Sequence, residues 1–206
     1  MLLYLIVDAA ACGERGVVET ARQAAAAGVD LIQYRAPGAT DQEYLATALE
    51  IEAAIDDSNA GLILSERPHL LGATNALGVH VGEEYRNVAG AREIIGEEAM
   101  LGVSGFLPSE LIELVGANFE LDYLSVGPVW ATVSKADAGS PIGVAEATAR
   151  VEQSPWPAML IGGITAGNLA ELEQTNAAGV VVLGEVCRAQ NIAAAVRALG
   201  ELAENY

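Results

Sequence analysis

The sequence predicts an α/β fold, a closed (β/α)8 TIM barrel made by a single domain over residues 1–206. Three observations lead there. Short apolar runs recur along the chain, continuous rather than alternating, as in strands buried on both faces. Stretches of helical periodicity separate them, and that alternation implies a parallel sheet. Eight such units fit into 206 residues, enough for a compact barrel with short connections. A doubly wound open sheet is the alternative. The chain has no G-x-G-x-x-G after its first strand, which weighs against it.

The elements follow in order. Leu2–Asp8 is an apolar strand. A helix over Val17–Ala27 runs into Gly28, a residue suited to a helix C-terminus. Leu31–Arg35 is the second strand, and Thr40 is placed to cap a helix over Asp41–Ile55. Strands three and four are Leu62–Leu64 and Gly78–Val81, with a helix over Val88–Ile95. Strand five, Met100–Val103, leads to a helix over Pro108–Val115. Strand six, Tyr123–Val126, leads to a helix over Val144–Glu152. Strand seven, Ala158–Ile161, precedes a helix over Ala166–Gln174. Strand eight, Val180–Leu183, precedes the final helix over Ile192–Ala203.

Charge restricts the partners. Twenty-eight acids face ten Lys and Arg, a formal net charge of −18. Such a surface repels nucleic acid and anionic membrane. It suits a saline cytoplasm or simply an acidic surface, and both stay open. An anionic small substrate would need a local cationic pocket. No apolar run reaches the length of a bilayer span, and the start of the chain lacks the basic n-region of a signal peptide. Cys12 and Cys187 have no metal-type spacing and read as reduced thiols of a cytoplasmic protein.

In a closed barrel the chemistry sits where strands end. After strand six comes Gly127-Pro128-Val129-Trp130-Ala131-Thr132-Val133-Ser134-Lys135, which carries two hydroxyls and the only lysine of the chain. Hydroxyls with an ammonium suit a phosphate; a solvated loop lysine is the alternative. Strand two ends Gln33-Tyr34-Arg35, with Gln33 and Arg35 on one face and Tyr34 opposite. Arg35 there binds an anion or pairs with a neighbouring acid. Ser65-Glu66 after strand three and Glu83-Glu84 after strand four offer carboxylates for a hard cation such as Mg²⁺, or form a solvated acidic rim. His80 reads as a satisfied core histidine and His69 as a surface one. Ser104 follows strand five, placed for a leaving group or for a helix cap. Gly162-Gly163 and Leu183-Gly184 follow the last two strands, where barrels commonly hold phosphate with backbone N–H groups.

With these motifs in place, Gln33-Tyr34-Arg35, His80-Val81-Gly82, Leu101-Gly102-Val103-Ser104, Gly127–Lys135 and Ile161-Gly162-Gly163-Ile164-Thr165, the chain resembles the thiamine phosphate synthases and their thiazole tautomerase relatives from about Leu3 to Leu199. The resemblance implies a barrel, often a homodimer, that joins a hydroxymethylpyrimidine diphosphate to a thiazole phosphate, releases diphosphate and uses Mg²⁺. By motif match Gln33, with Tyr34 beside it, touches the pyrimidine. Arg35, Ser104 and Lys135 hold its diphosphate. Ser65, Thr132, Ser134, Gly162, Gly163, Leu183 and Gly184 complete the substrate site, and Glu66 and Glu84 hold the metal.

The chain also departs from the family pattern. The cation of Gln-x-Arg-x-Lys is replaced by Pro37, with Arg67 as a candidate substitute. An Asn-Asp pair becomes Ser65-Glu66. The second metal aspartate becomes Tyr85, beside Glu84. A serine after strand eight becomes Gly184, and the tautomerase histidine becomes Phe106. The expectation is therefore a synthase-like transferase. A thiazole phosphate tautomerase-like isomerase and a non-catalytic thiazole or thiamine phosphate-binding barrel are the alternatives.

Overall fold

Eight parallel strands pair in sequence order, and the first closes on the last. They are β1 (Leu2–Asp8), β2 (Leu31–Arg35), β3 (Gly61–Ser65), β4 (Gly78–Val81), β5 (Met100–Val103), β6 (Tyr123–Val126), β7 (Ala158–Ile161) and β8 (Gly179–Val182). The helices are α1 (Ala9–Cys12), α2 (Val17–Ala26), α3 (Asp41–Ile55), α4 (Val88–Ile95), α5 (Gly143–Gln153), α6 (Gly184–Cys187) and α7 (Ile192–Ala203). The computed structural model describes residues 1–82, 86–104, 119–135 and 138–203; the helix expected at Pro108–Val115 lies outside them.

The strands alternate their side chains between two cores. Tyr4, Ile6, Leu31, Ile63, Tyr123, Met159 and Val181 cluster inside the barrel. Their neighbours along the chain, such as Leu3, Leu5, Ile32 and Leu64, join the larger core between sheet and helices. Period-two alternation with both faces apolar explains why these strands read as continuous hydrophobic runs. Gly102 in β5 makes room inside, since a Cβ there would collide with the Tyr123 ring.

Helix α3 begins where its capping chemistry predicts. Thr40 Oγ1 accepts from the Glu43 N–H, and the Glu43 carboxylate accepts from the Thr40 N–H, a full capping box before α3. Gly28 lies just past α2 with φ 103, a conformation that favours glycine.

Two expectations are corrected. The segment expected as a helix over Ala166–Gln174 is a shorter 3-10 segment, Leu169–Thr175. Asn168 bonds Thr165 N–H and Gly163 C=O with its amide, and Thr175 Oγ1 donates to Leu172 C=O. Asn168 thus ties the segment to the turn before it, and Thr175 takes a carbonyl at its end that a continuing helix would use. The last strand ends at Val182 rather than Leu183, because Leu183 (φ −136, ψ −77) already turns the chain into α6. The four-residue helices α1 and α6 are too short to show a period in sequence.

Candidate active site

The C-terminal ends of the strands surround a cavity of about 670 Å³. Gln33, Arg35, Ser65, Glu66, His80, Ser104, Thr132, Ser134, Lys135, Gly162, Gly163, Leu183 and Gly184 all line it. The loops after β2, β3, β5, β6, β7 and β8 thus share one mouth.

The loop after β6 is fixed by main-chain bonds. Val129 N–H donates to Ile161 C=O at 2.9 Å and Trp130 N–H to Gly162 C=O at 3.0 Å. On its other side Ile142 N–H bonds Pro128 C=O and Gly143 N–H bonds Val129 C=O. The approach is close enough that a Cβ on Gly163 (φ 67) would meet Ala131 C=O and the Trp130 side chain. Glycine is therefore needed there for space as well as for backbone conformation.

The two hydroxyls of this loop are oriented by what they accept. Thr132 Oγ1 accepts from Ser134 N–H at 3.2 Å, and Ser134 Oγ accepts from Arg188 Nη2 at 3.1 Å. A hydroxyl that accepts in this way keeps its proton to give. Thr132 and Ser134 both line the cavity, so both can offer an O–H to an anion there.

A polar string crosses the barrel interior to the same mouth. Gln33 Nε2 donates to Tyr4 Oη (2.8 Å), Tyr4 Oη lies 2.8 Å from Tyr123 Oη, His80 Nδ1 lies 3.0 Å from Tyr123 Oη, and His80 Nε2 lies 2.9 Å from Ser104 Oγ. Burial, and then the positive charge of Lys135, hold the His80 imidazole down at about 4, so it is neutral at pH 7. Burial raises the Tyr4 and Tyr123 phenols far above their ordinary range. All members of the string are therefore uncharged. One direction of donation satisfies each of them: Gln33 to Tyr4, Tyr4 to Tyr123, Tyr123 to His80 Nδ1, and His80 Nε2–H to Ser104. The Ser104 proton is then left to donate into the cavity.

Other residues fall differently from the sequence expectation. Tyr34 points to the outer core. It is 4% exposed, its ring centroid lies 4.5 Å from that of Tyr44, and it does not line the cavity. Alternation along β2 forces this, because Gln33 and Arg35 take the inner face. Arg67, the candidate substitute for the cation lost at Pro37, is engaged elsewhere. It donates to Ala39 C=O, pairs with Asp41 at 3.2 Å and lies 4.5 Å above the Tyr44 ring. Glu84, Tyr85 and Phe106 lie outside the described residues.

Asp8, Tyr44 and Arg188 bond residues of the cavity wall and are not among those expected from the sequence. Asp8 ends β1, accepts from Ala10 N–H as the N-cap of α1 and from Arg35 Nη1 at 2.8 Å, and so aims Arg35. An Asp directly before a helix is a readable cap signal. Tyr44 Oη donates to Tyr34 C=O (2.6 Å) and accepts from Ser65 N–H (2.8 Å), bridging β2 and β3 just past their last paired residues, Tyr34 and Leu64. No spacing rule announces that contact, nor the one made by Arg188.

Glu66 has φ 58, an uncommon conformation for a residue with a side chain. Its Oε2 accepts from Gly82 N–H at 3.1 Å. Its Oε1 and Ser104 Oγ lie 3.1 and 2.9 Å from the place a Cβ on Gly82 would take, so the carboxylate and the hydroxyl share one corner of the cavity.

Comparison with known proteins places the whole chain. The thiamine monophosphate synthase family model matches residues 3–186. The chain is 33% identical over 190 residues to the thiamine-phosphate synthase of Psychrobacter sp., covering 92% of this chain and 89% of that one. It is 36% identical over 202 residues to that of Moorella thermoacetica, covering 97% and 94%. Thiamine phosphate pyrophosphorylase from Pyrococcus furiosus superposes with a TM-score of 0.86 at 28% identity, covering 99% of this chain and 96% of that one. With a closed barrel, a family model matched over residues 3–186 and relatives matched along nearly the whole length, the chain belongs to the thiamine monophosphate synthase family.

Proposed function

We propose that this protein is a thiamine phosphate synthase that joins a hydroxymethylpyrimidine diphosphate to a thiazole phosphate. In this reaction the C–O bond between the pyrimidine methylene and diphosphate breaks. The thiazole nitrogen supplies the electron pair of the new C–N bond, and diphosphate leaves with the electrons of the old one. Stabilising the departing charge matters more than a base. The observation that carries the reading is the convergence of Arg35, Ser104, Lys135, Thr132 and Ser134 with the glycine turns of β7 and β8 on a single cavity.

Arg35, aimed by Asp8, and Lys135 supply positive charge to the leaving diphosphate. Ser104 donates it a hydrogen bond through the O–H left unused by the interior string. Gln33 presents its amide to the pyrimidine from the cavity wall. Thr132 and Ser134, with the Gly162–Gly163 and Leu183–Gly184 turns, hold the thiazole phosphate.

Mg²⁺ fits the donor set. The corner shared by Glu66 and Ser104 offers hard oxygen atoms. Among the described residues no three His, Cys, Asp or Glu converge. Mg²⁺ is commonly held by one or two carboxylates together with substrate phosphates. Glu66 would hold it, and Glu84 is the second candidate. Bound Mg²⁺ supplies further neutralisation of the diphosphate.

The tautomerase and binder alternatives have less support, since the relatives at 31–36% identity bear the synthase name. The two free, buried thiols support a cytoplasmic setting. Sedimentation tests the homodimer. The decisive assay mixes the purified protein with both substrates and Mg²⁺ and follows thiamine phosphate by chromatography. The expected result is product that falls about 10²–10³-fold in Lys135→Ala. No product above a protein-free blank refutes the synthase activity.

A further inference from the structure

Gly184 is bare for a reason of space. Its φ lies outside the left-handed region, so the backbone does not demand glycine. A Cβ there would run into the Arg188 guanidinium and would sit 2.9 Å from Ser134 Oγ. Arg188, Gly184 and Ser134 therefore meet at one point of the cavity wall. Arg188 lies one turn along from Gly184, just past α6, and its own N–H bonds Gly184 C=O.

The backbone around Arg188 is anchored from across the barrel seam. Arg15 donates from Nη1 to Cys187 C=O at 3.2 Å and from Nη2 to Ala189 C=O at 2.7 Å, on either side of Arg188. The Arg188 side chain thus leaves a fixed point. Its guanidinium gives Nη2–H to the Ser134 hydroxyl, and among the described residues no carboxylate pairs with it. Other arginines of this acidic chain are matched to acids: Arg22 to Glu19, Arg35 to Asp8, Arg92 to Asp122 and Arg150 to Glu146. A guanidinium turned towards a phosphate-type turn, with donors to spare, has the fork geometry that phosphoryl oxygens accept.

We propose that Arg188 is a phosphoryl-binding residue: its guanidinium, laid over the bare Gly184 and held at Ser134, takes the phosphate of the thiazole substrate. This rests on the synthase reading for the identity of the substrate, though not for the presence of a phosphoryl site. Arg188 and the Ser134 hydroxyl then act as one unit, in which the arginine sets the hydroxyl and both face the same oxygens.

The test is calorimetric titration of the full-length protein with the thiazole phosphate, the corresponding thiazole alcohol and inorganic phosphate, alongside steady-state kinetics. Wild type is compared with Arg188→Ala, Arg188→Lys and Gly184→Ser. Arg188→Ala is expected to weaken thiazole phosphate about tenfold and inorganic phosphate likewise. It should leave the alcohol and the KM for the pyrimidine diphosphate unchanged. Arg188→Lys should recover part of the loss, and Gly184→Ser should reproduce it by displacing the guanidinium. Equal loss for alcohol and phosphate, loss confined to the pyrimidine diphosphate, or phosphate binding indifferent to Arg188 overturns the proposal. Arg188-dependent phosphate binding by a protein that forms no thiamine phosphate would instead overturn only the synthase reading.

Discussion

Hydrogen-bond polarity decides what each side chain in the cavity can offer. His80 is the clearest case, because its environment fixes its charge. The native imidazole is held at about 4, against an ordinary 6.5, by burial and by Lys135. Between these values the unfolded chain takes up a proton that the native one refuses. Stability from this group is full above about pH 6.5 and falls as pH drops towards 4, by at most about 3 kcal/mol. Denaturant melts of wild type and His80→Gln at neutral and acid pH check this. The variant should be the less stable at pH 7 and the less pH-dependent, and parallel curves would assign the acid sensitivity elsewhere. Tyr44→Phe is expected to lose about 1–3 kcal/mol, because the Ser65 N–H and Tyr34 C=O lose the hydroxyl between them. A loss below a few tenths of a kcal/mol would mean that water replaces it.

The elements show which parts of this arrangement a sequence can announce. Strands β2, β4, β5, β6 and β7 and helices α3, α4 and α7 have the bounds that apolar runs, Thr40 and helical period indicate. Each is governed by its own residues. The segment at Leu169–Thr175 departs from its helical period, with side-chain bonds from Asn168 and Thr175 at its two ends. The candidate site divides in the same way. Lys135, Gly162 and Gly163 are visible as composition at strand ends. Arg188 is not, since its place depends on Arg15, remote in sequence, and on space above Gly184. Tyr34 lies next to two cavity residues and faces outward, as strand alternation indicates; only the motif match set it beside the pyrimidine. At this scale Gly163→Ala is expected to be damaging. Its Cβ would push on Ala131 and Trp130 and shift the β6 loop, raising the KM for the phosphorylated thiazole more than that for the diphosphate. Equal rises in both would indicate general unfolding instead.

Across the whole molecule, net charge and topology pull in different directions. A charge of −18 on 206 residues is self-repelling. The cationic groups at the mouth are embedded in that field. Raising salt from about 0.01 M to about 1 M shortens the screening length from about 30 Å to about 3 Å. The melting temperature is expected to climb over that range, read by circular dichroism, and a flat or falling trend would show that long-range repulsion is minor here. Closure of β1 on β8 lets side chains from opposite ends of the chain meet, as Arg15 does with the carbonyls of Cys187 and Ala189.

The phenol wedged between β2 and β3 also makes one amide a reporter. Ser65 N–H is bonded to a side chain on α3 and not to a neighbouring strand. In deuterium exchange its protection would follow the docking of that helix against the barrel, while ladder amides such as those of Ile63 and Leu64 would follow the opening of the sheet.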